Sequence, residues 1–161
     1  MQNIDLICLG KLNASYFAEG VAEYQKRLGA YCNFRVVELP EVKVQEKNAS
    51  PAMVQKALGK EGDAILASVR KGAAIVALCV EGKQLSSEEL ADYVAQKAGS
   101  GAGDIAFVIG SSHGLAPRVK QAAALKFSMG RITLPHQLAR LVLAEQIYRA
   151  FTINAGAKYH K

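Results

Sequence analysis

Apolar positions along the chain change their period repeatedly, and the changes mark out its elements. Ile4 to Leu9 is apolar apart from Asp5 and is ended by Gly10, which predicts a first strand. Ser15 to Leu28 follows with Phe17, Val21, Tyr24 and Leu28 on one stripe, the spacing of an amphipathic helix. Phe34 to Leu39 is β-branched and aromatic and stops at Pro40, a second strand. Glu41 to Asn48 is charged and without clear period, so it reads as a loop. Ser50-Pro51 joins an N-cap to a proline at the first helical position, which predicts a helix to about Val69 despite Gly59 and Gly62.

The same alternation continues. Ala74 to Val80 is continuously apolar, as in a strand covered on both faces. Ser86-Ser87-Glu88-Glu89 is a capping box, in which the Ser86 hydroxyl accepts from the Glu89 amide and the Glu89 carboxylate reaches back. A helix to about Ala98 should follow, then a turn over 100–104 and a strand from Ile105 to Ile109. Gly110 to Gly114 is a loop, and Pro117 opens a helix to about Ala124. Phe127 to Leu134 should contain a short last strand, Pro135 ends it, and His136 to about Ile153 is the last helix. Strand and helix in alternation predict an α/β fold, a mostly parallel sheet with helices on both faces. Such sheets bind ligands beyond the carboxyl ends of their strands. That selects Glu81 to Gln84, Gly110 to Gly114 and the segment from Met129 to Pro135.

Composition narrows the class without naming a function. The 161 residues are half apolar and 21% charged, which suits one domain spanning 1–161 with a real core. Cys8, Cys32 and Cys79 form no C-x-x-C pair, so reduced thiols and a cytoplasmic setting are expected. The start lacks a basic signal-peptide region, and the longest wholly apolar run, Ala73 to Val80, is too short for a bilayer, so no membrane role is expected. A net charge of +6 favours a polyanionic partner through counterion release, although many soluble proteins are mildly basic.

Several chemistries are missing. No G-x-G-x-x-G follows the first strand, no P-loop pattern occurs, and 109–114 only superficially resembles a G-x-S-x-G elbow. His113, His136 and His160 have no metal-ligand spacing, so no metal is expected. The last helix is apolar on two sides. Leu138, Leu141 and Val142 share one with Glu145, Tyr148 and Arg149, while Leu143, Ala144, Ile147 and Phe151 take the other. Burial against a second subunit and a central place in its own domain both account for that pattern.

An ordered series of short motifs then stands out. It runs Phe107-Val108-Ile109-Gly110, Gly114-Leu115, Ile132-Thr133-Leu134-Pro135-His136-Gln137, Leu143-Ala144-Glu145-Gln146-Ile147-Tyr148-Arg149-Ala150-Phe151 and Tyr159-His160-Lys161. Gly10-Lys11-Leu12, the stretch from Glu23 to Leu28 and Glu81-Gly82-Lys83 extend it over essentially the whole chain. The series resembles the family of ribosomal RNA large subunit methyltransferase H, minimal members of the SPOUT class. Ser111 stands where many relatives carry a second glycine, and Lys158 where proline is common.

The resemblance implies a deep trefoil knot in the C-terminal half and a homodimer formed through it. It implies methyl transfer from S-adenosylmethionine (SAM) to N3 of a pseudouridine in the helix 69 loop of 23S rRNA, on assembled ribosomes. It assigns SAM contacts to Leu78, Gly110, Met129, Gly130, Arg131, Ile132, Thr133 and Leu134. Apolar walls and close backbone groups suit an adenine ring, although Leu78 and Ile132 equally fit ordinary core packing. For the chemistry, His136, Arg149 and His160 are the candidates, the histidines as proton acceptors near neutral pH. An N-cap-like role for His136 and a frayed tail at His160 are the plain alternatives. Arg149, Tyr159, His160 and Lys161 form the expected RNA-facing set, with Tyr159 stacking on a base and Lys161 meeting a phosphate. A non-catalytic RNA-binding module and a methyltransferase acting on tRNA are the competing functions.

Overall fold

The computed structural model describes residues 1–161, the side chain of Glu46 excepted. Five strands, β1 (Asn3–Leu9), β2 (Asn33–Leu39), β3 (Ala74–Gln84), β4 (Ile105–Val108) and β5 (Leu125–Ser128), form one sheet in the order β2-β1-β4-β3-β5. Every pairing is parallel. The connecting helices are α1 (Ser15–Leu28), α2 (Pro51–Ser68), α3 (Ser87–Gly99), α4 (Pro117–Ala122) and α5 (His136–Asn154).

The core follows from strand period. Ile4, Leu6, Cys8, Ile105 and Phe107 point to one face and meet Leu28, Leu90, Val94, Leu143 and Ile147 from α1, α3 and α5. Their neighbours Ile7, Leu9, Ala106 and Val108 point to the other and meet Leu58, Ile65 and Val119 from α2 and α4. A strand with two covered faces needs apolar residues at consecutive positions, which is why these runs lack polar alternation. Each fully buried Leu or Ile contributes roughly 1.5–3 kcal/mol of transfer free energy.

The helix starts obey their local signals. The Ser50 hydroxyl accepts from the Met53 amide, with Pro51 in the first turn. The Ser86 capping box is complete in both directions. Gly62 is tolerated in α2 because it packs closely: a Cβ there would lie 2.9 Å from the Ala116 Cβ.

Three expectations change. Glu81 to Gln84 is not a loop, because β3 continues to Gln84. Its pairing with β5 shifts register between Leu78 and Lys83, so the intervening residues bulge. Gly82 makes the crossing possible, since a Cβ there would come within 2.7–2.8 Å of the Lys126 and Phe127 backbone. The last strand starts earlier than expected, at Leu125, and 129–135 is irregular. Helix α4 ends at Ala122, and the Ala124 amide donates to the Ile75 carbonyl instead. Helix α5 packs between α1 and α3 of its own chain, where Leu143, Ala144, Ile147 and Phe151 are buried, while Leu138, Leu141 and Val142 on its other apolar side stay partly exposed.

Candidate functional site

The carboxyl ends of β3, β4 and β5 surround an open cleft of about 230 Å³. Three separate stretches build it. The β3 bulge supplies Leu78 to Glu81, the turn after β4 supplies Ile109, Gly110, Ser111, Gly114 and Leu115, and the chain after β5 supplies Ser128, Met129, Gly130, Ile132, Thr133 and Leu134. His136 and Ala139 add the start of α5. Pro135 is the N-cap and no side chain caps this helix, so His136 does not serve as an N-cap. First-turn amides lack intrahelical carbonyl partners and remain donors toward a ligand.

The turn after β4 is held from behind. A Cβ on Gly110 would lie 2.3 Å from the Gly114 carbonyl oxygen, so this glycine lets the loop fold onto itself. Close approach of the loop's own backbone is thus the first reason for glycine here, ahead of any ligand. Gly114 has φ +90°, and its amide donates to the Ser111 carbonyl at 2.9 Å. The Ser111 hydroxyl donates to Glu61 Oε1 at 2.9 Å, and Glu61 Oε2 accepts from the Val42 amide at 3.0 Å. Glu61 is 3% exposed, so this buried carboxylate ties α2, the β2–α2 loop and the cleft turn together. After β5, the Ser128 hydroxyl donates to the Gly130 carbonyl at 3.0 Å, and Gly130 has φ +124°.

Charge enters at one point of the rim. Lys120 Nζ lies 2.6 Å from Glu81 Oε1, and this hydrogen bond holds the Glu81 carboxyl below its ordinary value. Burial pushes the Cys79 thiol up, with Glu81 adding to the effect, so Cys79 is a neutral wall residue rather than a nucleophile. Among the described residues, no group of three or more His, Cys, Asp or Glu side chains is arranged to hold a metal ion. No helix described is long and apolar enough to cross a membrane.

A family model described as "Predicted SPOUT methyltransferase" matches residues 2–160. The chain belongs to the SPOUT methyltransferase family. Relatives agree along the full length. The protein named ribosomal RNA large subunit methyltransferase H from Ligilactobacillus salivarius is 52% identical over 159 residues, 99% of each chain. Proteins of the same name from Limosilactobacillus reuteri and Streptococcus uberis are 50% and 47% identical, covering 99% and 98% of this chain and 99% of their own.

In this SPOUT chain the cleft gathers seven of the eight residues expected to hold a cofactor: Leu78, Gly110, Met129, Gly130, Ile132, Thr133 and Leu134. Arg131 is the exception; it is exposed and does not line the cleft. His136 also lines it. Arg149, Tyr159, His160 and Lys161 do not, and α5 alone separates His136 from Arg149 by about 20 Å at 1.5 Å per residue.

The tail is folded back rather than frayed. Tyr159 packs edge-on to Tyr148 at 4.8 Å, and the Arg149 guanidinium lies 4.8 Å from the Tyr159 ring. Burial and a hydrogen bond with Tyr24 push the Tyr159 phenol up to about 12, so it stays protonated. Arg149 Nε donates to Glu145 at 2.8 Å, and Nη1 lies 3.0 Å from His160 Nδ1. A guanidinium has no acceptor, so Nδ1 must accept and the ring proton sits on Nε2. Nε2 then donates to Glu88 at 2.7 Å. In this arrangement His160 has no free lone pair with which to take a proton.

Sequence reasoning missed three polar anchors. Glu61 and the Glu81–Lys120 pair are two, with partners 50 and 39 residues away. Arg140 is the third: 1% exposed, it binds Glu38 at 2.8 Å and donates to the Gly10 carbonyl at 3.1 Å, fixing the start of α5 to β1 and β2. The usable signal was a charged residue inside an otherwise apolar helical face.

Proposed function

We propose that this chain transfers the methyl group of SAM to N3 of a pseudouridine in the helix 69 loop of 23S rRNA, on assembled ribosomes. The observation carrying the reading is the cleft, where three distant segments leave room for a nucleoside beyond the parallel strands. Its residues fit SAM. Leu78, Ile109, Leu115 and Leu134 offer apolar walls, while the 110–114 turn and the chain at 129–134 bring peptide groups close to the same space. Leu78, Gly110 and 129–134 would hold the adenosyl group, with Arg131 at its outer edge. The full-length relatives, each named as acting on large-subunit ribosomal RNA, support the substrate class.

When bound, SAM supplies an electrophilic methyl group; the chain supplies position and proton handling. Orienting two reactants can account for roughly 7–11 kcal/mol of barrier. His136, half-buried on the cleft wall, is our candidate to accept the N3 proton. Arg149, Tyr159, His160 and Lys161 lie outside the cleft of their own chain, so their role requires a homodimer in which one tail serves the partner's cleft. Val80 and Ile132, 79% and 82% exposed at the rim, are apolar surface that a second subunit would cover. One SPOUT domain over 1–161, with its C-terminal half threaded as a trefoil knot, completes the proposal, in a cytoplasmic setting.

Mass spectrometry of 23S rRNA fragments from cells with and without the protein tests it. A single methyl group on the helix 69 pseudouridine, present only with the protein, is the expected result. Methylation of tRNA alone, or no SAM binding by calorimetry, would overturn it.

A further inference from the structure

We infer that a second groove, between the β2–α2 loop and the first turns of α2, is a docking surface for an RNA phosphate backbone outside the methyl-transfer cleft. This inference rests on the reading of the protein as an RNA methyltransferase. The groove encloses about 330 Å³ and is lined by Val42 to Gln45 on one side and by Met53, Lys56, Ala57 and Lys60 on the other. Three of its lining side chains, Lys43, Lys56 and Lys60, are cationic and exposed, and among the described residues none lining it is acidic. A charge run on a convex helix face is ordinarily just solvated. Here the cations converge on a concave surface with an apolar floor, where Met53 is 47% exposed and Ala57 is buried.

Lys56 and Lys60 stand one turn apart, about 6 Å along the axis, with Lys43 facing them from the loop. A row of cations suits a chain of charges better than a single carboxylate. Releasing counterions from several phosphates drives such binding without base contacts. Position supports the same partner. The β2–α2 loop leaves the carboxyl end of β2, so the groove and the cleft share one edge of a parallel sheet. Glu61 fixes their separation, because one oxygen holds Val42 at the groove and the other holds Ser111 at the cleft. An RNA strand seated on the lysines would therefore present a nucleotide to the cleft at a set distance.

The test compares the triple variant Lys43→Gln, Lys56→Gln, Lys60→Gln with a control of equal charge loss at the opposite edge, Lys26→Gln, Lys71→Gln, Lys97→Gln. Binding to 23S rRNA lacking the modification is measured against salt, with SAM affinity by calorimetry and methyl transfer on ribosomes alongside. The groove variant should lower the salt-dependence slope by roughly two to three and raise the RNA KM on the order of tenfold, with kcat and SAM affinity unchanged. An unchanged slope and KM, or an equal effect from the control, overturns the groove. Weaker binding to ribosomes with an unchanged slope on naked rRNA would assign the groove to a ribosomal protein and overturn the RNA assignment. Wild-type protein that binds rRNA but never methylates it in assembled ribosomes defeats the proposed function instead, and the slope still decides the groove.

Discussion

In the cleft, peptide groups and a few side chains face open space; in the tail cluster, Arg149, His160 and Tyr159 use their hydrogen-bond and stacking capacity on one another. The cleft is shaped by backbone: the β3 bulge, the self-folded 110–114 turn and the irregular chain after β5. The tail is shaped by side chains, with Glu145, Glu88 and Tyr148 holding it against α5 and α3. Backbone-built sites bind without rearrangement. A side-chain cluster already satisfied must exchange partners before it can serve a substrate. On the proposed function, cofactor binding and methyl transfer should therefore be separable by mutation.

The sharpest way to break that contrast is to delete Tyr159 to Lys161. Methyl transfer should fall on the order of 10²-fold through lost positioning of the RNA, while SAM affinity by calorimetry stays within about twofold. Loss of both together would erase the distinction. Conversely, Gly110→Val should raise the SAM Kd by roughly 100-fold, because a side chain forced onto the Gly114 carbonyl must displace the turn. An unchanged Kd in a folded variant would remove this turn from the cofactor site.

Smaller effects sharpen the comparison. Ser111→Ala leaves one oxygen of buried Glu61 without its donor and should lower stability by roughly 1–3 kcal/mol in urea unfolding. No change would show that the cleft turn needs no support from α2. The tail should respond to acid. The hydrogen bond from His160 holds the Glu88 carboxyl below its ordinary value of 4.5. A lowered carboxyl pKa stabilises the docked tail above pH 4.5 and loses that contribution as pH falls through the lowered value. Tyr159 and His160 resonances should sharpen toward a mobile tail as pH falls through that point; loosening on raising the pH would contradict the clamp.

Much of the fold was legible because each strand and helix carries a local signal. Ser50-Pro51 and the Ser86 box mark helix starts by hydrogen-bond chemistry confined to four residues. Two of the cleft's walls were legible as strand-end locations, Gly110 to Gly114 and 129–135, and Leu78 only through the family resemblance. The third wall was expected as a loop over Glu81 to Gln84 and is a strand bulge instead, to which that stretch contributes only Glu81, because a bulge inside a strand leaves no periodic trace distinct from a loop.

From its own order of residues, this chain determined an alternating α/β architecture and family membership, since burial on two sheet faces and helix capping are properties of short windows. Only the tertiary structure decided that Glu61 would hold Ser111, that Lys120 would hold Glu81, and that His160 would turn back onto Arg149. Those pairings join residues between 11 and 50 positions apart. Their energy depends on distance and desolvation in space, and neither quantity is written in the spacing of residues along the chain.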